Sequence, residues 1–513
     1  MSFIDSSIRH DRGSSRKANP DSRPERAPRH RDDRDTREKT APDAPIRERM
    51  PGERGLYPGE RLRQRIVPGS STMAPSASPV CKPLPSAEAD LRTIEATPPS
   101  QFALAGRGRH VVILVENLPV PFDRRPWQIA QTLQHQGFHV SIVCPQMYEY
   151  TQKFERLSEI DIYRYPNYEA SGACGYFCEY LNALLWMSWI CLRLFLTQGI
   201  AAIHACNPPD LLFLVAWPFR VFFGVRFLFD HHDLGPEVYF AKFGRTDWLY
   251  HLMCAVERMT YRLADVALAT NKSFKRIASQ RCAKKSDRIF VVRNAPTPGR
   301  FNPGPPRREL RFGKAHLIAY LGVMNKQDGV DLLLESIQHV IQGHQRKDVV
   351  FGLIGDGPEV PQLKLRAKQL GLNGEVKFLG RISDGRTLSD YLNTATVCVC
   401  PDPRNPMNDH STMTKVVEYM ALGRPIVAYD LRETHYSAAD AALYATDNNP
   451  RQFGDLIVQL LDDPSQRHAM GLCGKARYDV MLSWQRSQEQ LIAAYTRLFD
   501  PRSNHKPANA PVR

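Results

Sequence analysis

Residues 401–430 read PDPRNPMNDHSTMTKVVEYMALGRPIVAYD and pass from a polar, proline-broken loop through a helix into a short strand. Gly423 is typical of a helix end, and three residues before the helix are of types favoured at N-caps: Asp409, Ser411 and Thr412. Apolar strands are expected on both sides, over 396–400 and 425–428. A strand, a helix and a second strand in this succession predict a parallel α/β sheet.

One face of this helix has the composition of an anion-binding site. The free N–H groups and the partial positive charge of a helix N-terminus suit a phosphate. Lys415, in or near the first turn, adds a full charge, and Glu418 can accept two hydroxyl groups such as those of a ribose. This arrangement suits a sugar nucleotide, although a surface helix with a Lys415–Glu418 ion pair would give the same pattern.

Length and charge limit the organisation and the partners. A chain of 513 residues is long enough for two or three domains, and its net charge of +14 favours nucleotide phosphates, anionic lipid or nucleic acid. Residues 1–105 are rich in charged residues, Pro and Ser, and a disordered tail is expected there and over 501–513. The tail mixes both signs of charge without interleaved aromatic residues, which argues against nucleic acid as a partner.

The eleven cysteines have no metal-ligand spacing, and Cys398 and Cys400 lie in an apolar strand, so free thiols in a reducing cytosol are expected. The N-terminus lacks the apolar segment of a signal peptide. The most apolar run, 181–196, is interrupted by Arg193, and the chain is therefore expected to stay on one side of a membrane.

Apolar strands and helices alternate from His110 to the C-terminal region, with one break. The proline- and glycine-rich stretch NAPTPGRFNPGPPRRE has the composition of a linker and separates two halves, 106–297 and 298–480. A terminal helix follows over 481–500. The prediction is two Rossmann-like, doubly wound α/β domains that face a cleft, with ligands outside the carboxyl ends of the strands.

Several stretches together resemble the retaining, family-4 type glycosyltransferases of the GT-B fold, and most of all a bacterial subgroup that builds surface polysaccharides. They are ENLPVPFDRRPWQIA, FLFDHHDLGPE, VVRNAP, YLGVMNKQDGVDLLLESI, GLIGDGPEVPQLKLRAKQLGLNGEVKFLGRIS and PDPRNPMNDHSTMTKVVEYMALGRPIV. The resemblance implies a hexosyltransferase whose second half holds a UDP- or GDP-linked sugar and whose first half holds the acceptor. It implies no metal and no other cofactor.

The family signature is a pair of glutamates separated by seven residues, and this chain keeps only the second. Glu418 matches the glutamate that binds the donor ribose, whereas the first position falls on His410. Asp409, or the backbone groups of Ser411 and Thr412, would then take over the contact with the donor sugar.

A second departure concerns the donor diphosphate. The positions at which the family carries an arginine and a lysine are Val323 and Asp328 in this chain. The negative charge still needs compensation. Lys415 is the first candidate, followed by Lys326 and Arg381, although Lys326 could equally be a solvated loop lysine.

Two further loops are expected at the cleft. Gly355, Asp356 and Gly357 form a tight strand-to-helix turn, which explains the glycines with or without a donor contact. In HHDLGPE, His232 matches a cleft histidine of related transferases, and Asp233 could help to orient a hydroxyl; both could also be structural. A metal group of His231, His232, Asp233 and Glu237 fits no standard spacing.

The loop before the first long helix contains Asp123, Arg124 and Arg125 in place of the family's glycine-rich loop. The arginines suit an anionic acceptor, or they pair with Asp123. Aromatic and basic residues over 217–226, together with the apolar run 181–196, suggest a lipid-linked acceptor at the cytoplasmic face of an anionic membrane. Two alternatives are an epimerase or phosphorylase on the same scaffold, and a non-catalytic sugar-nucleotide-binding protein.

Overall fold

The computed structural model describes residues 108–167 and 172–500, without the side chains of residues 172–174, 176 and 177. The tails expected over 1–105 and 501–513 lie outside the described residues. The described chain forms two sheets, and the parts built around them are named the first and the second lobe.

The first sheet has eight strands in the order β3-β4-β2-β1-β5-β6-β7-β8. All neighbouring strands pair in parallel except β3 and β4, which pair antiparallel. The strands are β1 (His110–Val115), β2 (His139–Gln146), β3 (Phe154–Leu157), β4 (Ile160–Pro166), β5 (Ala202–Cys206), β6 (Arg226–His231), β7 (Val266–Ala269) and β8 (Ile289–Val291).

Helices cover both faces of this sheet, as the continuous apolar strands require. They are α1 (Arg124–His135), α2 (Gly172–Gln198), α3 (Phe213–Phe223), α4 (Gly235–Phe243), α5 (Trp248–Leu263) and α6 (Lys272–Gln280). One core lies between the sheet and α2, α3, α5 and α6, and α1 contributes to a second core on the other face.

The second sheet has six parallel strands in the order β11-β10-β9-β12-β13-β14. They are β9 (His316–Leu321), β10 (Val349–Ile354), β11 (Val376–Gly380), β12 (Val397–Cys400), β13 (Ile426–Tyr429) and β14 (Ala442–Ala445). Counted within the lobe, the order is 3-2-1-4-5-6, which is the Rossmann order, with its switch point between β9 and β12.

The second part of the chain contains nine helices among the described residues. They are α7 (Val330–Gln338), α8 (Val360–Gln369), α9 (Gly385–Thr394), α10 (Pro406–His410), α11 (Thr414–Ala421), α12 (Arg432–Ala438), α13 (Pro450–Asp462), α14 (Pro464–Arg477) and α15 (Trp484–Phe499). Two doubly wound parallel α/β lobes confirm the predicted fold class.

The last helix returns to the first lobe. Trp484, Leu491 and Tyr495 of α15 are buried in the core that also contains α1. The hydroxyl of Tyr495 lies 2.8 Å from Nδ1 of the buried His204 on β5. The sequence predicts this helix, but not the lobe that it completes.

The hairpin of β3 and β4 was not predicted. Its turn is formed by Ser158 (φ 48°) and Glu159 (φ 61°), both in the left-handed region. Two-residue hairpin turns with two positive φ angles normally show Asn-Gly or Asp-Gly, and neither pair is present at this position.

Helix α2 is long and strongly apolar. Cys178–Gln198 would qualify, by length and composition alone, as a membrane-spanning segment, and it is the only such helix in the part of the chain that the structure describes. The sequence-based expectation excluded this run because Arg193 interrupts it. In the structure Met187, Cys191 and Leu194 of α2 pack on the first sheet, and 22% of the segment is buried.

Candidate active site

The loops that follow β9 and β10 in the second sheet pack closely through glycine. A Cβ atom on Gly355 (φ 135°) would lie 1.8 Å from the carbonyl oxygen of Gly322, and one on Gly357 would lie 2.5 Å from that of Met324. Contact between main chains therefore accounts for both glycines. Asp356 accepts a hydrogen bond from the N–H of Gly357 (2.9 Å) and remains exposed.

Lys415 lies at the switch point between β9 and β12, and a carboxylate compensates its charge. Its Nζ is 2.7 Å from Oδ2 of Asp402 and 4.8 Å from the ring centre of Tyr320. The Lys415 side chain is 10% exposed, and that of Asp402 is fully buried. Burial alone would lower the pKa of Lys415, but Asp402 together with Tyr320, Cys400 and Asp328 outweighs burial and holds this pKa well above its usual value. Lys415 is thus a buried cation that already has a partner.

Helix α11 begins later than the sequence predicts. Its N-cap is Met413, and no side chain caps it. The three expected N-cap residues precede it, one within α10 and two in the link between the helices: Asp409, Ser411 and Thr412. The reason is a separate helix start at Asn405, whose side chain accepts the N–H of Asn408 (2.8 Å) and which is followed by Pro406 at the first helical position.

The side chains of this loop are engaged in the protein itself. Oδ1 of Asp409 accepts the N–H of Arg432 at 2.9 Å, at the start of α12. The hydroxyl of Ser411 donates to the carbonyl oxygen of Met407 (2.9 Å). Asn271 of the first lobe donates to Oγ1 of Thr412 (3.1 Å) and to the carbonyl oxygen of His410 (2.8 Å). These bonds fix the loop to α12 and to the first lobe.

Glu418 faces the first lobe across the cleft. Its Oε1 lies 3.8 Å from Nη1 of Arg124, a half-exposed residue at the start of α1. Burial raises the pKa of Glu418 above its usual value, and Arg124 and Arg300 oppose this shift. Arg300 lies in the link between the lobes, and its Nε is buried without a hydrogen-bond partner among the described residues. Glu418 is thus paired with Arg124 and also interacts electrostatically with Arg300, which sequence reasoning missed.

The neighbouring arginine of α1 has a different role. Asp123 caps the helix by accepting the N–H of Arg125 at 3.3 Å. The guanidinium of Arg125 is turned inward and binds both carboxylate oxygens of Asp230, at 2.7 and 3.0 Å, and the carbonyl oxygen of Val292 at 2.7 Å. The alternative of an ion pair between Arg125 and Asp123 is therefore wrong, because the buried Asp230 is the stronger partner.

The same carboxylate positions His232. The Nε2 atom of His232 lies 2.8 Å from Oδ2 of Asp230, and the ring is 13% exposed. Burial alone would raise the pKa of Asp230, but Arg125 and His232 outweigh burial and hold this pKa well below its usual range. The Nε atom of Arg125 lies 3.0 Å from the same Nε2, so the imidazole is held beside both the carboxylate and the guanidinium.

The other polar residues of this loop have partners of their own. His231 is fully buried, with Nδ1 2.7 Å from the hydroxyl of Tyr261, and burial lowers its pKa to about 3. Glu237 is paired with Arg281. Asp233 is held through its main-chain N–H, 3.2 Å from Oδ1 of Asn207. The metal group considered from the sequence is not brought together.

The remaining candidate cations differ in their surroundings. Lys326 is exposed in a turn that Asp328 closes by accepting the N–H of Asn325 at 2.9 Å. Arg381 lies over the ring of Phe122, 5.0 Å from its centre, so it contacts the loop before α1. Burial raises the pKa of Asp328 to about 6.

The two-lobed architecture has counterparts among solved structures. That of Anabaena Alr3699/HepE in complex with UDP-glucose superposes with a TM-score of 0.58 and 14% sequence identity, over 74% of this chain and 98% of the other. A likeness at this identity shows the fold.

Family models cover both lobes. "Glycosyl transferase 4-like domain" matches residues 122–295, and "Glycosyl transferases group 1" matches residues 315–463; together they span more than half of the 513 residues. The chain is a GT-B glycosyltransferase.

Named relatives of this glycosyltransferase agree with that assignment. It is 25% identical over 307 residues to a D-inositol 3-phosphate glycosyltransferase of Corynebacterium urealyticum, a match of 55% of this chain and 69% of the relative. It is 28% identical over 205 residues to a GDP-mannose-dependent monoacylated alpha-(1-6)-phosphatidylinositol monomannoside mannosyltransferase of Corynebacterium glutamicum, covering 37% and 52% of the two chains.

Replacement of His232 by alanine is expected to lower the transfer rate of the glycosyltransferase about 5- to 10-fold, the effect of one neutral hydrogen bond of about 1 to 1.5 kcal/mol. Donor affinity should stay unchanged, because His232 is not part of the group formed by Glu418, Arg124 and Arg300. Steady-state kinetics with calorimetry of donor binding measures both quantities. His231→Ala is the contrasting variant: its ring is buried, so stability should fall. A normal rate for His232→Ala would show that the histidine does not position a substrate.

Proposed function

We propose that this glycosyltransferase moves a hexose from a UDP- or GDP-linked donor to a lipid-linked acceptor during surface polysaccharide synthesis. It would act in the cytoplasm, bound peripherally to the cell membrane. The observation that carries the proposal is a large exposed apolar surface on the helices of the first lobe. The relative from Corynebacterium glutamicum is named for GDP-mannose and a phosphatidylinositol mannoside, which is in keeping with such a donor and acceptor.

The apolar surface begins on α2, which is apolar on two opposite sides. One side packs on the sheet, and the other is open to solvent, with Leu185, Trp189 and Leu196 exposed by 63%, 61% and 73%. Helix α3 extends this surface, because Phe195 of α2 contacts Phe223 of α3 with their ring centres 4.6 Å apart. The apolar surface comprises Leu181, Leu185, Trp186, Trp189, Leu192, Leu196, Leu214, Trp217, Val221, Phe222 and Phe223.

Exposed residues of this size in such number are unusual in a protein that is surrounded by water, and they mark an interaction site. Three tryptophans lie among them, a residue enriched at membrane interfaces. Arg193 is exposed on α2 itself, and the whole chain has a net charge of +14. Apolar, aromatic and basic side chains together match an anionic bilayer, where each basic residue contributes about 1 kcal/mol.

The donor would bind between the lobes at Glu418. A ribose offers two hydroxyl groups to this carboxylate, and the diphosphate brings negative charge to Arg124 and Arg300. Lys326 and Arg381 would add positive charge at the rim of the cleft. Under this proposal protein cations neutralise the diphosphate, so transfer needs no metal.

Transfer with retention would place the acceptor hydroxyl on the face from which the diphosphate leaves. The acceptor oxygen bonds to the anomeric carbon as the bond from that carbon to the phosphate oxygen breaks. The departing phosphate oxygen then takes the proton of the acceptor hydroxyl. His232, held by Asp230, and Asp233 would position that hydroxyl, and the arginines would stabilise the charge on the leaving group.

Flotation with liposomes tests the membrane part of the proposal. The full-length protein is expected to float with vesicles that contain anionic lipid, and salt should weaken this binding without abolishing it. The triple variant Trp189→Gln, Leu196→Gln and Phe222→Gln should lose most of the bound fraction, because it removes three of the most exposed apolar side chains.

The matched control replaces Leu365 and Leu472 by glutamine, two leucines exposed to a similar degree on the second lobe. This control should float like the wild type. If the wild type stays at the bottom of the gradient at every salt concentration, or forms dimers through the apolar surface instead, the membrane proposal is wrong.

A further inference from the structure

Three potential metal ligands meet on the second lobe, outside the candidate active site. Nε2 of His339 and Nε2 of His344 lie 2.7 and 2.6 Å from the same oxygen, Oδ1 of Asp455. The three atoms lie within 4.8 Å of one another. All three side chains are partly exposed, so an ion from solvent can reach them.

The fold brings the two histidines together through an irregular helix end. After α7 the chain makes one π-helical turn, His339–Gly343, in which the N–H of His344 donates to the carbonyl oxygen of His339 at 3.0 Å. Such turns occur frequently at functional sites. The turn aims both imidazole rings at α13.

The ring of His339 packs closely against a glycine on either side. A Cβ atom on Gly343 would lie 2.8 Å from Nδ1 of His339, and one on Gly454 would lie 3.1 Å from Cδ2 of the same ring. Gly454 precedes Asp455 on α13 and lets the two helices approach. The ring of His339 is therefore confined with Nε2 towards Asp455.

The three residues lie away from the edge of the sheet at which the transfer reaction is expected. Helix α7 starts at Val330, just after the loop that follows β9, and runs back to the opposite edge of the sheet, where β10 begins at Val349. Substrates are expected at the carboxyl ends of the strands. An ion at His339 would act on the structure rather than on the chemistry.

Two imidazole nitrogens and one carboxylate oxygen form a ligand set suited to Zn²⁺, whereas Ca²⁺ and Mg²⁺ prefer oxygen ligands alone. When zinc bonds are about 2.0–2.2 Å long, tetrahedral ligand atoms lie about 3.3 Å apart. Each histidine Nε2 would therefore have to move away from Oδ1 of Asp455 by less than about 1 Å.

We propose that His339, His344 and Asp455 bind one Zn²⁺ ion, with water as the fourth ligand, and that this ion fastens the end of α7 to α13. Zinc bound to the folded state alone stabilises it in proportion to the logarithm of the free zinc concentration. The site would contribute to the stability of the second lobe and leave donor binding unaffected.

The test is a titration of the tag-free, full-length protein with Zn²⁺, in competition with a chromogenic chelator. The wild type should bind one equivalent at this site and unfold at a higher temperature when zinc is present. His344→Gln and Asp455→Asn should each weaken binding at least about tenfold. Gly343→Ala keeps all three ligands but displaces the ring of His339, so it should also weaken binding.

The matched control is His435→Gln, which removes a histidine paired with Asp430 at 2.9 Å, also on the second lobe. It should bind zinc like the wild type. Co²⁺ should give a tetrahedral spectrum without a thiolate charge-transfer band, which excludes binding by the cysteines. The proposal is overturned if the wild type binds no zinc at micromolar concentrations, or if Asp455→Asn binds it as well as His435→Gln does.

Discussion

Replacement of Glu418 by alanine is expected to weaken binding of the nucleotide-sugar donor about 10- to 150-fold. This factor corresponds to the loss of a charge-assisted hydrogen bond, about 1.5–3 kcal/mol. Glu418 is buried at the carboxyl edge of the second lobe and faces Arg124 across the cleft, where a ribose and a diphosphate would meet. Calorimetry with a panel of UDP- and GDP-sugars measures the change.

The fold should survive this substitution. Burial raises the pKa of Glu418, which shows that the protein environment disfavours its charge, and the ion pair with the half-exposed Arg124 contributes at most about 1 kcal/mol. The variant Glu418→Gln keeps a hydrogen-bond acceptor without the charge and should bind the donor with intermediate affinity. Wild-type affinity in both variants would contradict the assignment of Glu418 to the donor.

Separation of the buried pair Lys415–Asp402 is expected to destabilise the protein by about 3–5 kcal/mol. In the wild type Nζ of Lys415 lies 2.7 Å from Oδ2 of Asp402. Either Lys415→Met or Asp402→Asn leaves the other member of the pair buried without its partner. The cost comes from the remaining charge, which water does not reach. Unfolding in urea, followed by circular dichroism, gives the free energy of unfolding for each variant.

A double-mutant cycle measures the interaction between Lys415 and Asp402 apart from the other effects of each substitution. Lys415→Met combined with Asp402→Asn removes both charges, so the double variant should lose clearly less than the sum of the two single losses. Lys326→Met is the matched control, because this lysine is exposed in a neighbouring loop, and it should change stability by less than about 0.5 kcal/mol. Additive single losses would show that the pair does not act as a unit.

The sheets could be predicted because most strands are apolar runs without polar interruptions. VVILV in β1 and VCVC in β12 are examples, and in the structure both strands are buried throughout. The hairpin at Ser158 and Glu159 could not be predicted, because its turn lacks the usual glycine. Helix α10 shows the opposite case: Asn405 and Pro406 form a recognisable helix start, but a polar, proline-broken stretch is equally typical of a loop.

The candidate site could be predicted only as far as single loops allow. Glu418 could be placed at the cleft from its helix, and His232 from the strand before it. Some of the residues around these two side chains come from distant parts of the chain. Arg125, which binds the carboxylate beside His232, is 105 residues from Asp230, and Arg300 lies in a segment whose composition indicates a linker. Lys415 has the charge and the position near a helix start that are expected of a phosphate ligand, but the sequence does not show that Asp402 neutralises it.

We propose that this glycosyltransferase transfers a sugar from a nucleotide to a membrane lipid. The most direct measurement incubates the purified protein with radiolabelled UDP- and GDP-sugars and membranes from the source cells, and then extracts the lipids. We expect label from at least one donor to enter the organic phase, and Glu418→Ala to lower this transfer at least tenfold. If no donor labels the lipids, or if Glu418→Ala labels them as fast as the wild type, the enzyme does not transfer a sugar to a membrane lipid through Glu418.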